Sequence, residues 1–363
     1  MNKKFLSLAV AAAMAAPMAA QAQDVTLYGK VHASVDFVDS NLATDGDDIA
    51  TGHHRFSRFG IKGSEDLGNG MKAIFKIENQ VGGNVGSRNT YVGLSADWGT
   101  ILLGQHDTPY KISTGSLDLF GDTAADYNSV MGTFNGVTSF DERAAQTVAY
   151  ISPNMNGFTV AGAWVEVVHD EDAVAAGSDE TGAISLAAMY SNGPFFGTVA
   201  YEEFTDGASA LGNGQGTNTV AGTAQSESEA WKIGLGYKAN GFSVGFMYEE
   251  IDADTASNPA NNDQENMMIN GSYSFGNNVV KAQYTAADTD IANGDYDVWA
   301  IGIDHKLSKR TKVYALYTSL DNEAAGMGRL NSGSNAGDDS AYGGATTAGT
   351  DSDIFSVGLM TTF

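Results

Sequence analysis

The stretch that decides the fold is IFSVGLMTTF, residues 354–363. Phe355, Val357, Leu359 and Phe363 fall on one parity of this stretch, and an alternation with a period of two is typical of a β-strand with one apolar face. A strand that continues to a terminal aromatic residue needs a pairing partner, because an open strand edge exposes unpaired backbone groups. The sequence therefore predicts that this strand closes against another strand, with the four apolar side chains facing outward.

The same alternation recurs along the chain, for example in VTLYGKVHASVDF (residues 25–37) and MKAIFKIENQ (residues 71–80). Seven connections are short, and most of them contain the Gly and Asn residues that suit tight turns, with SKR (residues 308–310) as the exception. They alternate with eight connections that are mostly longer and polar, among them residues 39–54. Together these connections separate sixteen strands of about ten residues, the length that crosses a membrane when a strand is tilted. In TKVYALYTSL (residues 311–320) parity does not decide which face points outward.

The fold class follows from this arrangement. Short turns lie at one end of the strands and nearly all long loops at the other, which favours a membrane barrel over a soluble sandwich. We therefore expect an all-β fold, a 16-stranded antiparallel transmembrane β-barrel with short periplasmic turns and long extracellular loops. Residues 1–22 have the charged start, apolar run and small-x-small end of a cleaved signal peptide. Residues 23–363 would form a single barrel domain.

Composition excludes several function classes. The net charge of −25 disfavours nucleic-acid binding, which requires phosphate-neutralising Lys and Arg residues, and the lack of cysteine excludes disulfides and thiolate metal sites. The six histidines are scattered, and neither a nucleophile motif nor a metalloprotease motif is present. We therefore predict no enzyme activity, no catalytic residues, no metal site and no cofactor.

The connection between the fifth and sixth strands, residues 108–142, is called the third loop below. Its length indicates a functional loop, and its interleaved aromatic residues indicate packing rather than free solvation. We predict that it folds into the barrel and narrows the channel there. Asp118 and Asp122 are the candidates for the acidic side of this constriction. A surface loop is the alternative interpretation.

A constriction also needs a facing wall, and basic residues lie on the polar parity of nearby strands. Arg58, Lys62, Lys72 and Lys76 belong to strands two and three, while Arg88 and Arg143 begin strands four and six; these six residues form the predicted basic wall. Basic and acidic groups on opposite sides set a field across the channel and bias which ions pass. Because distant loop charge is screened over about 8 Å at physiological salt, these wall charges predict a weak anion preference.

Three stretches, VTLYGKVHASVDF, SRFGIKGSEDLGNGMKAIFKIE and RNTYVGLSADWGTILLGQHDT, together with the terminal aromatic residue, resemble the Gram-negative general porins of the neisserial and betaproteobacterial type. The resemblance implies a homotrimer, an inward third loop and passive diffusion of ions and small hydrophilic solutes. It also implies that Arg58, Arg88 and Arg143 are the arginines of the constriction, and that the barrel-assembly machinery reads Phe363. The short second loop, GGNVGS (residues 82–87), departs from family members that latch neighbouring subunits with a long one.

The resulting expectation is a general porin in the outer membrane of a Gram-negative bacterium. The alternatives are a substrate-specific anion channel and a structural or adhesive barrel. Outer-membrane lipid and lipopolysaccharide would surround the barrel. Divalent cations could join lipopolysaccharide phosphates to the acidic outer loops, residues 39–48 and 169–180, because Mg²⁺ and Ca²⁺ prefer oxygen ligands.

Overall fold

A computed structural model describes residues 24–41, 48–82, 86–134, 138–168, 181–204, 225–255, 263–333 and 347–363. The predicted signal peptide, residues 1–22, lies outside these residues. So do the acidic stretch 169–180 and most of the acidic stretch 39–48, where the divalent cations were expected.

The described residues are almost entirely β-structure. The strands are β1 (Thr26–Ser40), β2 (Asp48–His54), β3 (Arg58–Gly68), β4 (Met71–Gln80), β5 (Gly86–Ala96), β6 (Gly99–Asp107), β7 (Thr133–Phe134), β8 (Thr138–Ser139), β9 (Arg143–Ile151), β10 (Phe158–Val168), β11 (Thr181–Asn192), β12 (Phe195–Phe204), β13 (Gln225–Ala239), β14 (Phe242–Thr255), β15 (Asp263–Phe275), β16 (Asn278–Thr289), β17 (Tyr296–Lys306), β18 (Thr311–Asn322) and β19 (Ser352–Thr362). One helix, α1 (Pro109–Thr114), and two single 3₁₀ turns lie within the third loop. In the part of the chain described here, no helix has both the length and the hydropathy of a membrane-crossing segment.

The wall closes on itself, as the terminal strand predicted. Consecutive wall strands pair antiparallel, and β19 pairs with β1 from Thr362 opposite Lys30 to Ser352 opposite Ser40. β2 and β3 pair with successive parts of β1 and form one interrupted wall strand, while β7 and β8 form a separate small hairpin. The described residues therefore form a closed barrel of sixteen strands. The predicted loop 39–54 is shorter than expected, because β2 occupies its second half.

Exposure separates the two faces of each strand as the parity predicts. On β1, Val31 and Val35 are exposed, whereas His32 and Ser34 are buried. On β19 and at the residue that follows it, the apolar side chains of one parity are exposed: Phe355, Val357, Leu359 and Phe363. In β18, where parity was ambiguous, Leu316 and Leu320 face inward. The inward face of β18 is apolar because the third loop packs against it.

Aromatic side chains mark two levels on the outer face. Near the short turns, Phe158 packs on Tyr190 with ring centroids 4.5 Å apart, and Phe242 packs on Tyr273 at 4.3 Å. At the opposite end of the strands lie pairs such as Phe37 with Phe355 (6.1 Å) and Trp299 with Tyr317 (5.2 Å). Aromatic residues at both ends of an apolar band are the arrangement that matches two membrane interfaces.

Candidate functional site: the channel and its inner loop

The third loop contacts the inner face of the wall along its length. Its two ends are joined where the Thr108 amide donates to the Glu142 carbonyl at 3.1 Å. Thr108 also caps α1 by accepting from the Lys111 amide at 3.3 Å, and Pro109 suits the first helical position. The Tyr110 amide then donates to the Ser185 hydroxyl at 2.9 Å, which seats α1 on β11.

A buried polar cluster anchors the loop to β13 and β14. Lys232 and Asp141 form an ion pair with a 2.5 Å separation, and neither side chain is exposed to solvent. Glu249 accepts from the Tyr110 hydroxyl and from the Gly132 amide, both at 2.6 Å. The Lys232 ammonium also lies 3.8 Å from the centre of the Tyr110 ring. These wall residues bind both limbs of the third loop, so the cluster fixes the position of the loop.

We expect Lys232→Ala to loosen the third loop. Removing one partner of a buried ion pair leaves an uncompensated charge, which costs about 3–5 kcal/mol. The variant should therefore unfold at a lower temperature in detergent and show noisier open channels in a planar bilayer. Lys238→Ala is the matched control, because Lys238 is exposed on the same strand. Equal unfolding temperatures for the two variants would contradict the anchoring role of Lys232.

Apolar contacts hold the other side of the loop. The Leu117 side chain packs against inward-facing glycines of β13. A side-chain carbon added at Gly236 would lie 3.0 Å from the Leu117 side chain. The Asn270 amide group of β15 donates to the Leu117 carbonyl at 2.6 Å. Phe120 and Met131 are fully buried in a cluster with inward residues of β14–β19. The aromatic and apolar content of the third loop is therefore buried against the wall.

Between the third loop and the wall lies a cavity of about 660 Å³, called the channel cavity below. Among the described residues that line it, the cationic ones are Arg58, Arg88, Lys111, Arg143 and Arg329, and the acidic ones are Asp107, Asp118, Asp122, Asp126, Asp141 and Glu142. The structure thus brings together five of the predicted constriction residues: Arg58, Arg88, Arg143, Asp118 and Asp122. The three arginines come from alternate wall strands, β3, β5 and β9.

Each of these arginines is paired. Arg58 lies 3.5 Å from the Asp122 carboxylate, which is also bound by Lys30. Arg88 donates to Glu78 at 2.8 Å. Because these partners hold the side chains in place, the charges are fixed relative to the cavity.

Arg143, the third of these arginines, lies 2.8 Å from Asp107 and donates to the Asn89 side chain at 2.8 Å. Both partners are on neighbouring strands of the wall, Asn89 on β5 and Asp107 on β6. The guanidinium is therefore held at the level where the third loop begins.

The predicted lysines lie elsewhere. Lys62, Lys72 and Lys76 are not among the residues that line the channel cavity. The Lys62 and Lys76 ammonium groups lie 5.4 and 5.7 Å from the centre of the Tyr28 ring, and Lys72 is exposed one residue into β4. Lys76 also lies 3.4 Å from Glu78, the carboxylate that accepts from Arg88, so it stands behind the cavity wall rather than on it. Parity fixes the face of a strand on which a side chain lies, but it carries no information on its height in the barrel.

Sequence reasoning also missed several lining residues. Lys111 and Asp126 belong to the third loop, where only Asp118 and Asp122 were chosen as acidic candidates. Arg329 belongs to the connection between β18 and β19, which was interpreted as an outer loop. The sequence did carry one signal for Arg329. Basic residues are rare in the outer connections, so a lone arginine in one of them indicates a specific role.

Three carboxyl groups of the third loop have shifted pKa values. Burial, together with the neighbouring Asp126 and Asp122 charges, raises the pKa of Asp118 well above its ordinary value. Burial and the Asp122 charge raise the pKa of Asp126. Burial opposes ionisation of Asp122 as well, but Lys30 and Arg58 outweigh it and lower its pKa. Asp122 therefore keeps its charge, while Asp118 and Asp126 are protonated more readily than free carboxyl groups.

No metal-binding constellation is found within the described ranges. His32 contacts the Tyr314 hydroxyl at 2.9 Å, and His106 packs edge-on against Tyr91. In the same part of the chain, no group of three or more His, Asp or Glu side chains could hold a metal ion. The chemistry available in the channel cavity is electrostatic attraction and hydrogen bonding to passing solutes.

Comparison with known proteins relates this barrel to bacterial outer-membrane channels. A family model described as Gram-negative porin matches residues 7–325. Over 346 residues the chain is 30% identical to outer membrane porin protein 32 of Delftia acidovorans, covering 90% of this chain and 91% of that protein. It is 27% identical over 331 residues to major outer membrane protein P.IB of Neisseria gonorrhoeae, covering 86% and 91% of the two chains.

Solved structures show the same fold. The anion-selective porin from Comamonas acidovorans superposes with a TM-score of 0.72 at 23% sequence identity, over 94% of this chain and 100% of that one. The fold of this chain is therefore that of a known porin.

Proposed function

Since the chain belongs to the Gram-negative porin family, we propose that its outer-membrane diffusion channel has a weak preference for anions. It is an outer-membrane porin, a channel for passive diffusion of ions and small hydrophilic solutes rather than an enzyme. The observation that carries the proposed preference is the set of three arginines, Arg58, Arg88 and Arg143, on the wall of the channel cavity.

The balance of charge in the cavity supports a weak rather than a strong preference. Cationic and acidic side chains line it in similar numbers, and Asp141 is matched by Lys232. The raised pKa values of Asp118 and Asp126 mean that these two carboxyl groups lose their negative charge more readily on acidification than free aspartate does. Charge that lies more than about 8 Å from the cavity is largely screened by physiological salt.

Planar-bilayer recording tests this function directly. Purified protein should give stepwise conductance increments that rise in proportion to salt concentration. Ion substitution should show that chloride permeates somewhat better than potassium. A conductance that saturates with one anion would favour a substrate-specific channel, and a protein that never forms channels would favour a structural or adhesive barrel.

We also propose that three copies of the barrel form a homotrimer. The outer face carries exposed apolar side chains on every side, and part of this surface would be covered by neighbouring subunits. On gels, unheated protein should migrate as a stable oligomer that converts to monomer on heating. We likewise propose that acidic outer loops share divalent cations with lipopolysaccharide phosphates, because Mg²⁺ and Ca²⁺ prefer oxygen ligands. Recognition of Phe363 by the assembly machinery is a proposal that rests on the family.

The anion preference should increase as pH falls. Protonation of Asp118 and Asp126 removes negative charge from the cavity, and their raised pKa values place this change above the range of free aspartate. Acidification from neutral pH should raise the chloride-to-potassium permeability ratio, and the rise should begin above the pH at which free aspartate titrates. Asp118→Asn should weaken the response. A ratio that stays constant or falls on acidification would contradict the assignment.

A further inference from the structure

A second segment enters the barrel beside the third loop. Residues 326–333, called the strap below, follow β18 in the connection that leads to β19. The Asn322 side chain at the end of β18 holds the start of the strap, donating to the Gly328 carbonyl at 3.1 Å and accepting from the Gly328 amide at 2.8 Å. A side-chain carbon at Gly328 would lie 2.4 Å from the Tyr296 ring, so the backbone passes close to the inner wall.

The far end of the strap is bonded to the third loop. The Asn331 amide donates to the Ala124 carbonyl at 3.2 Å. Leu330 is only 2% exposed and packs in the same buried cluster as Phe120 and Met131. The strap is therefore joined to a buried part of the third loop.

The wall supplies a dedicated partner for this contact. Arg55, which is fully buried, donates to the Asn331 carbonyl, and its charge is matched by Asp36. Its Nε also donates to the Ser34 hydroxyl at 2.9 Å. Arg55 lies at the interruption between β2 and β3, where Phe56 has a positive φ of 49°. The interruption of this wall strand turns Arg55 inward to hold the strap.

Arg329 lies between these anchors, directly after Gly328 and before Leu330, and it lines the channel cavity together with Arg58, Asp122 and Asp126. We propose that the strap is a second inner element of the channel, and that Arg329 is a residue that determines its ion specificity. This inference rests on the proposed anion preference. It adds Arg329, from the C-terminal part of the sequence, to the three arginines from the N-terminal half.

The expected effect follows from Coulomb's law. One unit charge about 6 Å from a passing ion in water changes its relative permeability by roughly two- to threefold at low salt. The effect should disappear near 1 M salt, where the Debye length is about 3 Å. This salt dependence distinguishes a charge effect from a change in channel width.

The chain contains no cysteine, so a single introduced thiol can be modified selectively. Arg329→Cys removes the cation. Reaction with a trimethylammonium-ethyl methanethiosulfonate forms a disulfide that restores a positive charge, and a sulfonato-ethyl methanethiosulfonate adds a negative one instead. Arg310→Cys is the matched control, because Arg310 lies in the exposed turn between β17 and β18, away from the cavity.

Reversal potentials in a potassium chloride gradient provide the readout. Arg329→Cys should lower the chloride-to-potassium permeability ratio two- to threefold, the cationic reagent should restore it, and the anionic reagent should lower it further. If Arg329→Cys behaves as Arg310→Cys does before and after both reagents, the strap proposal is wrong while the porin function stands. If the unmodified parent protein forms no channels, the proposed function itself fails. Leu330→Ala should separately increase open-channel noise by releasing the strap.

Discussion

Deleting Phe363 will lower the amount of folded barrel in the outer membrane about tenfold relative to the full chain, while the channels that do form will conduct normally. Phe363 closes the barrel seam, since its amide donates to the Gly29 carbonyl and Gly29 donates back, both at 3.1 Å. Each such bond left unmade costs about 1–3 kcal/mol, and 1.4 kcal/mol corresponds to about a tenfold change in an equilibrium. Phe363 is exposed on the outer face of the barrel and is not among the described residues that line the channel cavity, so conductance should not change.

Two further variants separate the seam from recognition of the aromatic ring. Phe363→Ala keeps the backbone hydrogen bonds and removes only the aromatic ring. This ring lies so close to Gly29 that a side-chain carbon added at Gly29 would be 2.3 Å from it. If Phe363→Ala assembles as poorly as the deletion variant, assembly requires the aromatic ring. If Phe363→Ala assembles well, assembly requires the backbone hydrogen bonds of the seam. Phe355→Ala is the matched control, because Phe355 is exposed on the same face of the same strand. Normal assembly of the shortened chain would contradict both roles.

The second large effect is expected from the three arginines of the channel cavity. Replacing Arg58, Arg88 and Arg143 together with Gln should reverse the preference from anions to cations and enlarge the conductance. Each charge alters relative permeability by roughly two- to threefold at low salt, so three together should change it about tenfold or more. Partner carboxylates such as Asp122 and Asp107 would then face the passing ions without these cations.

The matched control removes the same charge elsewhere. Lys72, Lys238 and Lys309 changed together to Gln alter the net charge equally, but these side chains are exposed and do not line the channel cavity. Reversal potentials for both triple variants should therefore differ sharply. If the lysine variant shifts selectivity as much as the arginine variant, the cavity is not the selective region, and total charge governs permeation instead.

Several features of the fold were readable from the sequence for a clear physical reason. A strand with one lipid-facing side must alternate, so parity on β1 and β19 predicted which side chains are exposed. Short connections with Asn and Gly predicted the turns, as at Asn69, which has a positive φ of 54°. The closure of β19 on β1 followed from the requirement that no strand edge remain open in lipid.

Other features depend on contacts between distant segments. On β18, Leu316 and Leu320 face inward because the third loop covers them, which no local pattern encodes. The height of Arg58 relative to Lys62 decides which of them reaches the cavity, and parity is the same for both. The strap contacts the third loop through the Asn331 backbone amide, a group that every residue except proline carries.

The most direct measurement is the reversal potential of the unmodified channel in a potassium chloride gradient near about 0.1 M, where the Debye length is about 10 Å. The arrangement of Arg58, Arg88 and Arg143 around the channel cavity predicts that chloride permeates better than potassium. A clear preference for potassium under these conditions would contradict the conclusion that these arginines set the selectivity of the channel.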